Sequence, residues 1–381
     1  MDYNLTDEMK LLQDMTYKFA KTEIAPFSEE CDDEEKYTPE IHKKAAALGL
    51  VGSWMPEEYG GAGFGVLGNA IVTEQLSRVD MGIGTNIVVA PFGCEAILHS
   101  GTEEQKQQYL PPVCRGEMVG AGAFTEPNAG TDVSGVATRA VKDGDDYIVN
   151  GNKMFITNGT VCDFMVTLLV TNPEAKRKHD SFSMLIIPAD LPGITRTKIK
   201  GKLGIRSSDT AEIAFEDVRV PQANLVGEEG RGFHQVMHFF DMTRIMVSAQ
   251  GVGLSQGCLD EAVRYSKERS AFGKPLGFFQ LTQAKLTEMA IRIEAARNLV
   301  YKAGWLYDNG TPDFTLAAMA KYFCGQTAVY CANAALEIHG GYGYIEEYKV
   351  QKFYRDAKIL ELYEGTKEAE VMTIGKVLMS Q

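Results

Sequence analysis

Residues 340–366, GGYGYIEEYKVQKFYRDAKILELYEGT, decide how this chain is read. Gly340, Gly341 and Gly343 open the stretch and Gly365 nearly closes it, which leaves room between them for one short helix. Phe353, Ala357 and Leu360 recur at helical spacing, while Lys352, Arg355 and Lys358 are available for other faces. The run therefore predicts an amphipathic helix that delivers Glu364 to a glycine-marked bend. Gly365 at a helix end can take φ > 0 and admit another backbone or a ligand. Two readings of Glu364 stand on these residues. It is a solvated turn glutamate, or a carboxylate beside Tyr363, desolvated behind an apolar face and able to act as a base.

The totals narrow the classes. A chain of 381 residues has ample surface to bury and predicts two or three domains of a soluble globular protein. A net charge of −13 leaves no basic stripe for nucleic acid. The seven cysteines are scattered, odd in number and never in a CxxC pair, so a disulfide framework or zinc site is not expected and a reducing compartment is. The opening residues are acidic, without the basic and apolar regions of a signal peptide. Apolar runs such as 164–170 are too short to span a bilayer. A cytoplasmic protein is expected. Of the six histidines only His234 and His238 stand at HxxxH spacing and none forms HExxH, no Ser-His-Asp order is suggested, and no GxGxxG follows a strand.

Outward from the C-terminal stretch, the texture changes twice. The first third reads as helical, with Thr6-Asp7-Glu8 as a start signal and Met9, Leu12, Met15 and Phe19 at near-helical intervals. Tyr59–Gly63 is a loop, and Asn86–Cys94 is apolar enough to be buried, with Pro91 and Gly93 bending or narrowing a helix. From about Gly120, short β-branched or aromatic segments (147–149, 164–170, 182–187, 212–215) predict strands of a compact β-domain. Two motifs lie at its edges: Phe124-Thr125-Glu126-Pro127-Asn128-Ala129-Gly130-Thr131-Asp132 and Phe155-Ile156-Thr157-Asn158-Gly159. Each combines permissive backbone with hydroxyls, which suits either an ordinary turn or a loop offering hydrogen bonds to a polar planar ligand. Leu203–Thr210 followed by Phe215–Pro221 reads as two strands joined by a turn. The helical period returns after Phe233. Asp241-Met242-Thr243-Arg244 is expected to begin the longest helix, which runs to about Arg269, with Gly273 and Pro275 as stop signals.

Taken together, residues 340–366, the two edge motifs and Arg269-Ser270-Ala271-Phe272-Gly273 with Gln280 resemble the acyl-CoA dehydrogenases, flavoproteins that oxidise acyl-CoA thioesters to enoyl-CoA. The resemblance runs from about residue 5 to the C-terminus. It implies an α+β fold: an N-terminal helical domain (1–118), a central β-domain (119–230) and a C-terminal four-helix-bundle domain (231–381). It implies FAD as cofactor, an acyl-CoA substrate, an electron-transferring flavoprotein as partner, a homotetramer and no metal. Glu364 would be the base. Phe124, Thr125, Phe155 and Thr157 would flank the flavin ring, while Arg269, Phe272, Gln280, Gly340, Gly341 and Thr366 would also serve FAD, Arg269 and its neighbours across a subunit interface. Thr131, Asp241, Arg244 and Gly365 would bind substrate, and Val88, Pro91 and Cys94 would line the acyl pocket.

The sequence also departs from the family pattern. Thr131 replaces the commoner serine, and Glu337 and His339 stand where glutamine and an aliphatic residue are common, so Glu337 is a doubtful diphosphate neighbour and His339 reads as a core or interface residue. Some relatives place the base at the position of Thr243, which a threonine cannot serve. Relatives that oxidise nitroalkanes carry an aspartate where Glu364 stands. Two alternatives stay open: the same machinery run as an enoyl-CoA reductase, and a flavin-free scaffold of the same fold. The bulk of Pro91 and Phe92 points to a short, branched or alicyclic acyl group.

Overall fold

Thr6 accepts a hydrogen bond from the Met9 N–H (3.2 Å) and starts α1 (Asp7–Phe19), as its sequence predicts. The structure is a computed structural model and describes residues 5–380; residues 1–4 of the acidic N-terminal stretch, and with them the outer limits expected for the first and last domains, lie outside the described residues. Six further helices complete the N-terminal layer: α2 (Ser28–Asp33), α3 (Pro39–Ala47), α4 (Gly65–Val79), α5 (Met81–Val88), α6 (Cys94–Ser100) and α7 (Glu103–Cys114). Thr102 and Gln105 form a reciprocal capping box at the start of α7. Pro91 and Gly93 do more than bend a helix: Gly93 takes φ 95° and separates α5 from α6. A Cβ there would stand 2.9 Å from Val166, so the break is where the helices meet the β-domain.

The strands β1 (Gly120–Ala123), β2 (Arg139–Asp143), β3 (Asp146–Thr157), β4 (Phe164–Val170), β5 (Phe182–Pro188), β6 (Ile194–Lys198) and β7 (Thr210–Pro221) form one sheet. Its order is β1-β4-β2-β3-β7-β6, with β5 on β4. β1 runs parallel to β4, with Gly120 opposite Phe164, whereas β4–β5, β2–β3, β3–β7 and β6–β7 are antiparallel. β4 and β5 are buried on both faces, which is why they read as unbroken apolar runs. The strand expected around 203–210 does not form. Gly204 lies against the Arg355 carbonyl, where a Cβ would approach to 2.4 Å, and the Ile205 N–H donates to Asp356 Oδ1 at 2.6 Å. The backbone of this segment is thus satisfied by the C-terminal helices instead of by a ladder.

The remainder is helical: α8 (Gly232–Glu268), a small hairpin of β8 (Ser270–Ala271) and β9 (Lys274–Pro275), α9 (Gln280–Asp308), α10 (Phe314–His339), α11 (Val350–Ala357) and α12 (Lys367–Ser380). The longest helix begins at Gly232, not at Asp241, because no glycine or proline interrupts residues 233–250. Asp241, Thr243 and Arg244 therefore project from a helix interior, which holds them more rigidly than a terminus would. α8 crosses α4 closely because Gly253 and Gly257 lack side chains; a Cβ on either would meet the Glu74 or Arg78 carbonyl at 2.1 or 2.4 Å. Asp308, at the end of α9, caps α4 through the N–H groups of Val66 (2.7 Å) and Leu67 (2.9 Å). Lys352 does not face solvent as its spacing suggests. It is buried between Asp356 (2.7 Å) and Asp80 (3.1 Å), and burial of a lysine is tolerated here because both carboxylates receive further hydrogen bonds.

Candidate active site

The base loop is built from the helix that precedes it. Phe353, Ala357 and Leu360 are buried as the periodicity requires and fix α11 and the tight turn 358–361 against the bundle. The Tyr363 hydroxyl then donates to Gln250 Oε1 on α8. Glu364 and Gly365 both take positive φ, 53° and 103°. A non-glycine residue in that conformation costs roughly 1–3 kcal/mol and persists only where its surroundings hold it. Seven non-glycine residues with positive φ occur among the described residues, and three of them, Phe155, Phe272 and Glu364, are ones the sequence singles out.

Thr243 Oγ1 donates to Glu364 Oε2 at 2.6 Å. Arg244 bonds Glu370 through Nε at 3.1 Å and lies 3.8 Å from Asp241. Lys321 of α10 donates to the Gly365 carbonyl. Burial raises Glu364 above the ordinary carboxylate range, while the Thr243 hydroxyl, Arg244 and Lys321 pull it back and Glu370 pushes it up. Glu364, half-buried, is thus a carboxylate made more basic by desolvation, a shift that the hydroxyl and the two cations oppose. Burial also pushes Asp241 up to about 6, against the pull of Arg244.

The two edge motifs are stapled together from below. Lys153 is fully buried, and its ammonium donates to Leu168 O (2.7 Å), Glu126 Oε1 (2.8 Å) and Phe124 O (3.1 Å). Glu126 also accepts from the N–H groups of Ala137 (2.8 Å) and Thr138 (3.0 Å), and Met154 N–H bonds Thr125 O at 2.9 Å. The second motif is the end of β3 and not a free loop: Phe155 takes φ 60° at a register shift and Asn158 follows at 64°. Asn158 ties this corner to the Val89 and Gly120 carbonyls. Phe155 is left 64% exposed, and Thr125 and Thr157, on the two segments that the Met154–Thr125 bond joins, are half-buried. An uncovered ring and two hydroxyl side chains on these joined segments suit a planar group with a polar edge, as a flavin is. Phe124 is buried and meets Phe239 edge-on at 5.0 Å; Phe239 in turn meets Phe92 at 4.8 Å, beside Val88, Pro91 and Cys94. Thr131 is exposed on the loop that Asp132 turns through the Ser134 N–H (3.0 Å).

A second concavity, of about 450 Å³, is lined by Tyr265, Arg269, His339, Gly340, Gly341 and Tyr342 among others, and the Arg269 guanidinium sits over the Tyr342 ring at 5.4 Å. Gly340 and Gly341 leave open space where a Cβ would stand. None of Phe124, Thr125, Phe155 or Thr157 lines this cavity. Phe272, 95% exposed, and Gln280 lie outside its wall, and Thr366 caps α12 through the Ala369 N–H (3.2 Å). Glu337 pairs with Lys285 (2.5 Å) and accepts a hydrogen bond from the Asn333 amide (2.9 Å), and His339 is buried against Tyr265 with Nδ1 at 2.8 Å from Ala335 O.

Sequence reasoning missed Lys321, Glu370, Gln250 and Glu95. Lys321 carried a signal, since it is a lone charge among Ala317, Ala318, Ala320 and Cys324 on one helix. Glu95 is buried, accepts from the Gly93 N–H at 2.9 Å and is pushed up to about 8 by desolvation, with Glu364 adding to the shift. Among the described residues no cluster of three or more His, Cys, Asp or Glu could hold a metal ion, and no helix is long and apolar enough to cross a membrane.

Three family models match in order along the chain: acyl-CoA dehydrogenase N-terminal domain (6–117), middle domain (121–218) and C-terminal domain (230–379). The short-chain specific acyl-CoA dehydrogenase of Clostridium acetobutylicum is 42% identical over 99% of this chain and 100% of its own. The acryloyl-CoA reductase (NADH) of Anaerotignum propionicum is 40% identical over 100% of this chain and 97% of its own. A chain in the solved structure reported for the electron transferring flavoprotein of Acidaminococcus fermentans superposes with a TM-score of 0.97, at 42% identity, covering all of both chains. With three helical and β layers in this order and relatives matched from end to end, the chain belongs to the acyl-CoA dehydrogenase family of FAD-dependent oxidoreductases.

Proposed function

We propose that this protein catalyses the α,β-dehydrogenation of a short, branched or alicyclic acyl-CoA, with Glu364 as the base. The observation that carries the reading is the state of that carboxylate: desolvated, strained, hydrogen-bonded by Thr243 at 2.6 Å and flanked by Arg244 and Lys321. A base whose affinity for protons is raised by burial, yet which two cations keep ionisable, suits removal of a weakly acidic α-proton near neutral pH. The proton moves from the substrate α-carbon to a Glu364 carboxylate oxygen. FAD, when bound, supplies the acceptor for the hydride that leaves the β-carbon. Phe124, Thr125, Phe155 and Thr157 hold it on one side, and Arg269, Phe272, Gln280, Gly340, Gly341 and Thr366 serve it from elsewhere. In this proposal Arg269 and its neighbours act across a subunit interface of a homotetramer, a reading supported by the separation of the Arg269 cavity from Phe124, Thr125, Phe155 and Thr157. Thr131, Asp241, Arg244 and Gly365 border the substrate. A partner for the electrons, an electron-transferring flavoprotein, is supported by the Acidaminococcus structure. We place the protein in the cytoplasm, with domains divided near residues 118 and 230.

The acryloyl-CoA reductase relative favours one second reading, in which the same residues work in the direction of enoyl-CoA reduction and Glu364 returns a proton to the α-carbon. A flavin-free scaffold is opposed by the family's FAD dependence. The deciding experiment is a panel of acyl-CoA thioesters, straight and branched, assayed with the purified holoprotein and an artificial electron acceptor. Turnover on four- to six-carbon acyl groups supports the proposal. Flavin that no saturated acyl-CoA reduces, but that enoyl-CoA reoxidises after chemical reduction, selects the reductase reading.

A further inference from the structure

Lys321 lies in the interior of α10, 2% exposed, where a methionine would fill the same space without a buried charge. Its ammonium donates to the Gly365 carbonyl, and burial pushes it down to about 8. Four elements turn charged groups toward it: Arg244 from α8, Glu361 from the turn after α11, Glu364 from the base loop and Glu370 from α12. Glu370 is fully buried, with one carboxylate oxygen on Arg244 and the other without a partner. It packs so closely on Gly365 that a Cβ there would stand 2.1 Å from its Oε1. The Gly365 carbonyl directly follows the two residues with positive φ. Within the loop the Tyr363 N–H bonds the Ile359 carbonyl at 3.1 Å, and from another helix Gln250 holds the Tyr363 hydroxyl and Thr243 the Glu364 carboxylate, both side chains. Lys321 grips the backbone itself.

We propose that Lys321 is a positioning residue for Glu364: by clamping the Gly365 carbonyl it holds the left-handed base loop in place and sets a positive charge behind the carboxylate. The inference rests on the reading of Glu364 as the base. Arg244 cannot substitute, because its guanidinium is already committed to Glu370 and Asp241. A positioned base that drifts by an ångström loses on the order of 10²-fold in rate.

The test compares the holoproteins of the parent, Lys321→Met, Lys321→Arg and Glu364→Gln, using butyryl-CoA as the probe. It measures anaerobic flavin reduction in single turnovers from pH 5.5 to 8.5. Lys321→Met is expected to keep its flavin and bind butyryl-CoA within threefold of the parent, to reduce its flavin on the order of 10²-fold more slowly, and to move the rising limb of the pH profile upward. The upward move follows because a cation that favours the ionised carboxylate is gone. Lys321→Arg restores the charge without the same reach, so its limb returns to the parental pH while its rate stays low. Were Lys321→Met to lose flavin or fail to fold, Lys321→Gln, which keeps a donor and loses the charge, decides the matter by the same limb. A parental rate and a parental limb in the uncharged variant overturn the proposal. Parental reduction by Glu364→Gln overturns instead the assignment of the base.

Discussion

Replacing Lys153 by methionine removes one charge from a fully buried site and leaves its partner behind. Glu126 keeps the N–H groups of Ala137 (2.8 Å) and Thr138 (3.0 Å) but loses the Lys153 ammonium, at 2.8 Å, its one cation among the described residues. The Phe124 and Leu168 carbonyls lose a donor at 3.1 and 2.7 Å as well. Methionine fills much of the lysine volume, so the cavity term is small and the electrostatic term dominates. Breaking a buried pair from one side costs about 3–5 kcal/mol. The loss falls on residues 124–131, so flavin should dissociate before the fold melts. Urea unfolding of the holoprotein, followed by far-UV circular dichroism and by flavin fluorescence, separates the two events. The double variant Lys153→Met with Glu126→Gln should recover part of the loss, because no unpaired charge remains. A Lys153→Met protein within 1 kcal/mol of the parent that retains its flavin equally well would refute the account of how the two motifs are held.

Glu95→Gln tests the buried acid near the base. Its pKa is raised to about 8 in the folded protein, so the unfolded chain releases this proton first as pH rises; stability from this group is full below about 4.5, declines between there and 8, and is flat beyond. At ~1.4 kcal/mol per pKa unit the glutamine variant should gain up to a few kcal/mol on the parent over that window, and a melting-temperature difference that does not grow from pH 5 to 8 would contradict it. Arg269→Ala should weaken FAD retention and the oligomer together, with a loss of about 1.5–3 kcal/mol for a charge-assisted contact; sedimentation and flavin content at equal protein concentration should fall in step.

Much of the architecture was legible because period and punctuation agree with tertiary need. Strand 164–170 is an unbroken apolar run because both its faces are covered, and α1 starts where Thr6-Asp7-Glu8 say it should. Two of the failures share one cause, which is that long-range partners override local signals. Residues 203–209 have strand-like composition, but the Arg355 carbonyl and Asp356 claim their backbone. Lys352 has surface spacing, but Asp80, far earlier in the sequence, draws it inside. The site divides in the same way. Glu364 and its glycine could be read from the segment that contains them. The residues that set its chemistry, Thr243, Lys321 and Glu370, come from three other helices, and only the folded chain shows that they converge.

The claim on which the rest depends is that Glu364 takes the α-proton. Glu364→Gln keeps the size of the side chain and an oxygen for the Thr243 hydroxyl, so folding and flavin content should survive. General-base catalysis contributes roughly 10²–10⁴-fold, and a base acting on a carbon acid belongs at or above the upper end. The measurement is exchange of the substrate α-proton with deuterated water, taken beside the rate of flavin bleaching. Both should fall together by about 10⁴-fold, while added acyl-CoA still perturbs the flavin spectrum. A variant that exchanges the α-proton and bleaches its flavin at near-parental rates would place the base elsewhere and return Glu364 to a turn residue.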